Sequence, residues 1–253
     1  MVKRIDVLGA PLDCVDMAAA LEQVEVMLQG QSFNTIIALN PEKVIKSQQD
    51  SRLLSWLNNA SLVIPDGIGV VVAGRLLNHV EIERVPGSEL MPAICERAAQ
   101  RAYKLFLYGA SPQTIERTVE ELNCRYPGIQ IVGYQHGYLA KEQMAELVDR
   151  INQSQANILF VALGSPQQEL WMDENAAKLE NIRVCQGVGG TFDVIAGTVK
   201  RAPQFFIKIH CEWLYRLLSQ PKRLLRQTAL PLFAYKLLLA YVVEKLKKDP
   251  GYP

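Results

Sequence analysis

The chain contains 253 residues, which is enough to bury the core of one large domain or of a domain with an appendage. A hydrophobic content of 49%, with only 16 glycines and 13 prolines, indicates a globular protein and excludes a fibrous or disordered chain. The net charge of +1 hides an uneven distribution, because residues 196–253 carry 11 Lys/Arg against 3 Asp/Glu, whereas residues 1–195 carry 16 against 23. A basic end rich in Leu, Phe, Trp and Tyr is typical of contact with an anionic membrane surface or a phosphate-bearing ligand.

Strands and helices are predicted to alternate along the first 195 residues. Apolar runs predict strands at residues 5–9, 35–39, 62–64, 104–108, 129–134, 158–163 and 182–185. Helical spacing predicts helices at 17–28 (with Asp16 as N-cap), 41–48, 68–77, from the turn at 84–89 to 102, 112–126, 141–151, and from Pro166 onward. This alternation predicts an α/β fold with a mostly parallel sheet flanked by helices, whose ligands lie beyond the carboxyl ends of the strands.

The alternation stops after residue 195, where two basic helical segments are predicted at 204–218 and 230–246. We therefore divide the chain into a core, residues 1–195, and a basic, helical, membrane-associating appendage, residues 196–253. Residues 230–243 are strongly apolar, but they are fewer than the ~20 that a membrane span needs, and Lys236 interrupts them. A peripheral amphipathic helix is therefore predicted.

The start of the chain runs directly into a strand pattern without the long apolar run of a signal peptide, which predicts a cytoplasmic protein. The five cysteines are odd in number and scattered, so reduced thiols are expected. His79, His136 and His210 show no ligand spacing, and no Asp-x-Asp pair is present, so no metal site is predicted. We expect no nucleic acid partner.

Several familiar motifs are missing from the sequence. It has no Gly-rich loop ending in Gly-Lys-Ser/Thr, no Gly-x-Ser-x-Gly elbow and no His-Glu-x-x-His. A dinucleotide fingerprint would have to begin at residues 187–189, but Phe192 occupies its third glycine position, late in the chain. A nucleotide-dependent dehydrogenase is thus the main competing enzyme class, and the sequence argues against it.

Polar residues and tight turns follow several predicted strands. Asn40 and Asp66 each come directly after a strand, and residues 164–166 break the apolar run of 158–163. The helix that begins near Pro166 has polar residues in its first turn, where backbone amides and the helix dipole favour an anion such as a phosphate. Explanations without a ligand stay open: Asn40 and Asp66 fit cap or turn positions, and many strand-to-helix junctions bind nothing.

Six short segments, taken together and in order, resemble the TagA/WecG/CpsF glycosyltransferases. They are Pro-Asp-Gly at 65–67, Gly-Ser-Pro-Gln-Gln-Glu-Leu-Trp at 164–171, Gly-Val-Gly-Gly-Thr-Phe-Asp at 187–193, Ala-Gly at 196–197, Arg-Ala-Pro at 201–203 and Glu-Trp-Leu-Tyr-Arg at 212–216. The resemblance extends over nearly the whole chain. It implies a Rossmann-like core distinct from the common glycosyltransferase folds, of the type called GT-E, and a peripheral location on the inner face of the cell membrane.

The resemblance also implies an activity. We expect an inverting, metal-independent and cofactor-free transfer of N-acetylmannosamine from UDP-ManNAc to undecaprenyl-diphosphate-linked N-acetylglucosamine, in wall teichoic acid synthesis. Two alternatives stay open: transfer of the corresponding uronic acid or another UDP-hexosamine to a lipid-linked sugar, and a noncatalytic protein that binds a nucleotide or lipid diphosphate. The family's tendency to self-associate makes a homodimer the expected assembly.

The resemblance assigns the chemistry to strand-end residues. Asp66 matches the family's general base, which takes the proton of the acceptor hydroxyl. Asn40 is expected to orient donor or acceptor through its amide. The family often has a threonine two residues before this asparagine, where this chain has Ala38. Any hydroxyl contribution from that position is therefore absent.

The negative charge that develops on the UDP leaving group must be stabilised by arginines and backbone amides, because no metal is expected. Arg84 and Gln167 are the candidates for this role in the core, and the resemblance assigns Asp193 to the uracil. Arg223 and Arg226, which match the arginines that the family's appendage brings over the site, are expected to assist catalysis. The remaining candidates for the UDP pocket wall are Gly164, Gln168, Glu169 and Gly189. A helix cap for Asp193 and a solvated basic face for the two appendage arginines are the competing explanations.

Overall fold

The computed structural model describes residues 2–199 and 228–248, together with residues 203, 206 and 215. Its strands are β1 (Arg4–Val7), β2 (Ala10–Asp13), β3 (Asn34–Leu39), β4 (Leu62–Pro65), β5 (Lys104–Gly109), β6 (Gln130–Gln135), β7 (Ile158–Ala162) and β8 (Val184–Gly187). Its helices are α1 (Met17–Gln29), α2 (Pro41–Ser47), α3 (Ser51–Asn59), α4 (Ile68–Asn78), α5 (Gly87–Arg101), α6 (Pro112–Arg125), α7 (Met144–Gln153), α8 (Gln167–Asn175), α9 (Thr191–Ile195) and α10 (Ala229–Lys248).

Six strands form one parallel sheet in the order β4-β3-β8-β7-β5-β6. Helices cover both faces of this sheet, as the near-continuous apolar composition of its strands requires. The predicted α/β fold with a Rossmann-like parallel sheet is confirmed. The predicted N-cap is also found, since Asp16 accepts a hydrogen bond from the amide of Ala19 at the start of α1.

Alternate side chains of the strands enter different cores. In β3, Ile36 packs with α1 and α5 on one face, whereas Ile37 packs with α2, α3 and α4 on the other. In β7, Phe160 faces the first of these cores, and Leu159 faces a third cluster that includes α7 and α8. Burial on both faces explains why the inner strands have continuous apolar runs, whereas the edge strand β6 alternates between exposed and partly buried residues.

The first predicted strand belongs to a separate hairpin. Residues 4–7 pair antiparallel with β2, a strand that the pattern did not predict. The expected extension of the first strand to Gly9 is wrong, because Leu8 and Gly9 have φ values of 55° and 91° and form the two-residue turn between the strands. Asp13 attaches this hairpin to the sheet, since its carboxylate pairs with Arg4 at 2.7 Å and accepts the amide of Val63 at 2.7 Å.

The helix α3 was also not predicted. Asp50 caps it by accepting the amides of Arg52 and Leu53, and the buried faces of Leu53 and Leu57 hold it against the core. Elsewhere the predicted helices and strands are found with bounds that differ by a few residues.

The last helix, α10, packs on the core. Its buried residues Phe233 and Leu237 join the cluster formed by α2, α3 and α4, and Lys236 hydrogen-bonds to Gln48. Phe233, near the start of α10, lies beside Gly69 at the start of α4. Glu244, further along α10, pairs with His79 at the end of α4, at 3.2 Å. The two helices therefore run parallel. Within the described part of the chain, no helix is long and apolar enough to cross a membrane. Most of the helical segment predicted at 204–218 lies outside the described residues.

Candidate active site

The predicted site residues meet at the carboxyl edge of the parallel sheet. The ends of β4, β3, β8 and β7 lie next to one another there, and they lead to Asp66, Asn40, Gly189 and Gly164 respectively. β3 leads into α2 on one face, whereas its neighbour β8 leads into α9 on the other. Adjacent strands whose connections leave in opposite directions open a crevice, which is the usual ligand site of such sheets.

Asp66 is held by the start of α5. Its Oδ1 accepts a hydrogen bond from the amide of Gly87 at 2.8 Å, and its own amide donates to the carbonyl of Leu39 at 3.0 Å. The carboxylate therefore lies at a helix N-terminus, where the dipole favours negative charge. Among the described residues, Oδ2 of this half-buried side chain has no hydrogen-bond partner. One oxygen is thus fixed while the other is available to accept a proton.

Asn40 caps α2, which is the role without a ligand that the sequence offered beside its predicted role in the site. Its Oδ1 accepts the amide of Lys43 at 2.9 Å, and Pro41 follows as the first helical residue. A Cβ on Gly67 would lie 2.9 Å from the ring of Pro41 and 3.3 Å from Cβ of Asn40. The backbone next to Asp66 therefore approaches Asn40 so closely that only glycine fits between the two strand ends.

Ala38 faces the N-terminus of α5. A Cβ on Gly87 would lie 3.4 Å from the methyl group of Ala38, whose side chain packs with the α1 and α5 core. A hydroxyl at this position would stand beside the amide end of α5. The alanine leaves an apolar surface there.

Arg84 lies directly beside Asp66. Its Nε donates to the main-chain carbonyl of Asp66 at 2.8 Å, and the side chain is half-buried. The structure therefore brings together two residues that are 18 positions apart and that the sequence assigned to different substrates. A guanidinium is the side chain that pairs best with a diphosphate, because its planar group can form two parallel hydrogen bonds to phosphate oxygens.

The junction between β7 and α8 is more buried than its polar sequence suggests. Pro166 is the N-cap of α8, not a first-turn residue as predicted, and the Ser165-Pro166 peptide is cis. Gln167 is exposed, whereas Gln168 and Glu169 are buried. The amide of Gln168 donates to the carbonyl of Gly164 at 2.9 Å. Of the three first-turn side chains, only Gln167 faces solvent, and its predicted contact with a ligand stays a prediction.

Gln168 and Glu169 hydrogen-bond within the protein. Oε1 of Gln168 accepts the amide of Gly189 at 3.0 Å, and its Nε2 donates to Oε1 of Glu169 at 3.2 Å. That same oxygen of Glu169 pairs with Nζ of Lys43 at 2.7 Å. A Cβ on Gly187 would lie only 2.4 Å from Gln168 Nε2, so this glycine makes room for the amide. Lys43 was not predicted as a site residue, because no spacing pattern joins it to a residue 126 positions away.

Asp193 lies in the first turn of α9, facing the start of α6. Its Oδ1 is 3.5 Å from Oγ1 of both Thr114 and Thr198, and its carbonyl accepts the hydroxyl of Thr198 at 3.0 Å. Ser111 caps α6 and donates to Thr114 at 2.9 Å. A group of hydroxyl side chains therefore surrounds this carboxylate, and the sequence analysis had not singled them out.

Two buried cysteines lie within the hydrophobic cores, Cys95 in α5 and Cys185 in β8. Burial raises the pKa of Cys95 in α5 to about 12, and it raises the pKa of Cys185 in β8 as well. A raised pKa favours the neutral thiol over the thiolate at physiological pH. Neither is a nucleophile for the crevice.

Two of the predicted catalytic residues cannot be located relative to this site. Arg223 and Arg226 lie outside the described residues. Over residues 2–199 and 228–248, no group of three or more His, Cys, Asp or Glu side chains is arranged to hold a metal ion.

The fold and the crevice define an α/β enzyme core of the Rossmann-like class, with a carboxylate, an amide and a guanidinium at the strand ends. The family model described as "Glycosyl transferase WecG/TagA/CpsF family" matches residues 5–247. This chain therefore belongs to the WecG/TagA/CpsF family of glycosyltransferases, and the resemblance seen in the sequence is confirmed.

Curated relatives align along much of the chain. An N-acetylglucosaminyldiphosphoundecaprenol N-acetyl-beta-D-mannosaminyltransferase of Bacillus spizizenii strain W23 is 38% identical over 196 residues, which cover 78% of this chain and 75% of the relative. The protein of the same name from Staphylococcus aureus strain MW2 is 36% identical over 247 residues, covering 97% and 95%. Similarity thus includes the segment that carries Arg223 and Arg226.

Proposed function

We propose that this protein transfers N-acetylmannosamine from UDP-ManNAc to undecaprenyl-diphosphate-linked N-acetylglucosamine, in the synthesis of the wall teichoic acid linkage unit. The observation that carries the proposal is similarity at 36% identity over 97% of the chain to a relative whose name states this acceptor and this sugar. The position of Asp66, Asn40 and Arg84 at one crevice supports it, because a transferase needs a base and cationic groups at the same place.

The proposed step is a single displacement with inversion at the anomeric carbon. The acceptor hydroxyl forms a bond to that carbon while the bond to the diphosphate oxygen breaks, and the bonding electrons leave with UDP. The hydroxyl proton passes to Oδ2 of Asp66, whose Oδ1 is held by Gly87. Asn40 orients the sugar through its amide group, whose oxygen is engaged in capping α2.

We propose that positive side chains and helix ends replace a metal ion and that no cofactor takes part. Arg84 and the first turn of α8, with Gln167 exposed there, would face the negative charge that develops on UDP. α10 begins beside Gly69, close to Pro41 and Gly67 at the site. Arg223 and Arg226 come a few residues before α10 in the sequence. Because the start of α10 lies near the site, this closeness in the chain supports the proposal that the two arginines act on the leaving group.

The acceptor is a membrane lipid, so the enzyme must work at the bilayer surface. We propose that α10 provides that contact, from the inner face of the cell membrane. Seven of its large apolar side chains are exposed, and five of them, Leu232, Tyr235, Leu239, Val242 and Leu246, recur at intervals of three and four, with Leu238 and Val243 beside them. They therefore form one stripe along the helix, as in helices that lie in a membrane interface.

A donor screen tests the proposed reaction. Purified protein is incubated with a short-chain polyprenyl diphosphate-N-acetylglucosamine and with UDP-ManNAc, its uronic acid or UDP-GlcNAc, and the glycolipid product and released UDP are measured. We expect UDP-ManNAc to react at least ~10-fold faster than the others, because a site that hydrogen-bonds the sugar hydroxyls discriminates against an epimer and against a carboxylate in place of the C6 hydroxymethyl group. Faster reaction with the uronic acid would reassign the donor. UDP binding without product from any donor would favour the noncatalytic alternative.

The same assay with EDTA tests the absence of a metal. We expect an unchanged rate after prolonged incubation with the chelator, because the charge on UDP is met by arginines and amides. A loss of rate that Mg²⁺ or Mn²⁺ restores would contradict this part of the proposal.

A further inference from the structure

A buried ion pair crosses the base of the crevice. Nζ of Lys43 in α2 lies 2.7 Å from Oε1 of Glu169 in α8, and the two side chains are only 7% and 1% exposed. Oε2 of Glu169 is buried and has no hydrogen bond within the described part of the chain. Two opposite charges are thus taken out of water with one oxygen left unpaired.

Such a pair is a poor source of stability. Removing two charges from water costs about as much as their attraction returns, and well-packed neutral side chains often stabilise the fold equally well. An unpaired buried oxygen adds to this cost. The pair therefore calls for an explanation other than the free energy of folding, and its neighbours indicate one.

The ion pair links two strand ends that carry site residues. On one side, the amide of Lys43 donates to Asn40 Oδ1, which follows β3. On the other side, Gln168 donates to Glu169 and accepts the amide of Gly189, which follows β8. Lys43 thus connects Asn40, which its main-chain amide contacts, to Glu169, which its side chain contacts. Hydrogen bonds from Glu169 through Gln168 continue this connection to the glycine turn at 187–190.

We propose that Lys43 and Glu169 are positioning residues, which with Gln168 fix Asn40 and the Gly189 turn at the distance that the transfer reaction needs. The inference rests on the proposed function, in which Asn40 orients a sugar and the first turn of α8 faces the diphosphate, and on the predicted place of Gly189 in the wall of the UDP pocket. A charged pair resists changes in separation more strongly than an apolar contact does, because its energy depends on both distance and direction. An error of about 1 Å between reacting groups can reduce the rate ~100-fold.

The test replaces the ion pair by neutral side chains of similar size, Lys43→Met together with Glu169→Gln. Changing both partners avoids an unpaired buried charge, and the amide oxygen introduced at position 169 can still accept from Gln168. We expect kcat to fall ~10- to 100-fold, while KM for the donor stays within about threefold and the thermal midpoint within a few degrees. Amide hydrogen exchange in the peptide containing residues 187–191 should become faster, whereas exchange in α1 stays unchanged.

The matched control is a more exposed ion pair in α2, between Glu42 and Lys46. Their charged atoms are 3.0 Å apart, and their side chains are 30% and 40% exposed. Glu42→Gln with Lys46→Met likewise removes one positive and one negative charge. We expect kcat and exchange at 187–191 to match the unmodified protein, because exposed ion pairs contribute little. An equal loss of kcat in this control would overturn the proposal.

Glu169→Asp is the second variant and decides the outcome if the double variant does not fold. It keeps the charge but shortens the side chain by one methylene, so we expect the same fall in kcat with little change in KM. A kcat within twofold of the unmodified protein in a folded variant would overturn the positioning role. So would faster exchange throughout the chain, which indicates a structural role only.

Hydrogen exchange separates this inference from the proposed function. If the unmodified protein transfers no sugar from any donor, the proposed function fails. Exchange at 187–191 in the double variant still decides whether the ion pair fixes the turn: faster local exchange supports the inference, and unchanged exchange overturns it.

Discussion

Asp66 has the two properties that a general base needs at this site. The hydrogen bond from Gly87 fixes its direction, and Oδ2 is left without a partner among the described residues. We predict that Asp66→Asn lowers kcat ~100-fold or more, since the amide keeps the hydrogen bond from Gly87 but cannot take a proton. UDP affinity, measured by calorimetry, should stay within about threefold.

The matched control for this prediction is Asp16→Asn. It makes the same chemical change at the N-cap of α1, where asparagine caps as well as aspartate does. We expect unchanged transfer in the control. Turnover by the Asp66 variant at the unmodified rate would remove Asp66 from the role of base.

Single residues were predictable where their place in the chain decides their place in space. Asn40 and Asp66 each follow a strand, and parallel strands bring their carboxyl ends to one edge. The burial of Gln168 and Glu169 was not predictable, because a polar first turn is usually exposed. Their burial depends on Lys43, a long-range partner that local spacing cannot reveal.

At the level of elements, periodicity predicted the sheet strands and most helices but not the hairpin or the order of strands. Leu8 is unusual in the left-handed turn between β1 and β2, a position that favours Gly, Asn or Asp, so no turn signal was visible. α3 has only Leu53 and Leu57 buried, too few for its pattern to stand out. Strand order depends on crossovers that pass over intervening strands, as between β4 and β5, and these leave no local trace.

The docking of α10 depends on Phe233. Its ring is buried among α2 and α4, beside Gly69. We predict that Phe233→Ala lowers the free energy of unfolding by about 3 kcal/mol, because the deleted ring leaves a cavity next to a rigid proline and glycine. Urea denaturation followed by circular dichroism would measure this change.

The comparison for α10 is Tyr235→Ala, two residues further along the same helix, with an exposed side chain. It should change the free energy of unfolding by no more than about 0.5 kcal/mol. Equal effects of the two substitutions would show that α10 does not depend on the Phe233 contact.

At the scale of the whole molecule, one side differs from the rest. The exposed stripe lies on α10, and the neighbouring helix α4 also exposes two apolar side chains, Val72 and Leu76. Lys236 and Lys245 lie on the same helix as the stripe, and the sequence adds two lysines at its end. Because α10 begins beside Gly69, this apolar and basic side adjoins the carboxyl edge of the sheet. A lipid-borne acceptor could therefore reach the crevice while its tail stays in the bilayer.

We predict that Leu239→Gln with Val242→Gln weakens binding to vesicles of phosphatidylglycerol and phosphatidylcholine by about tenfold per residue, since each loses the transfer of an apolar side chain from water. Co-sedimentation measures the bound fraction.

Val26→Gln is the control, because Val26 is also exposed but lies on α1, across the sheet from α10. Both variants should keep their thermal midpoint, as neither changes a buried residue. Turnover of a short-chain, water-soluble acceptor should also be unchanged, whereas turnover of a vesicle-embedded acceptor falls only in the α10 variant. If the α10 variant sediments with the vesicles as fully as the control, the stripe is not the membrane contact, and the proposed lipid acceptor must reach the crevice by another surface.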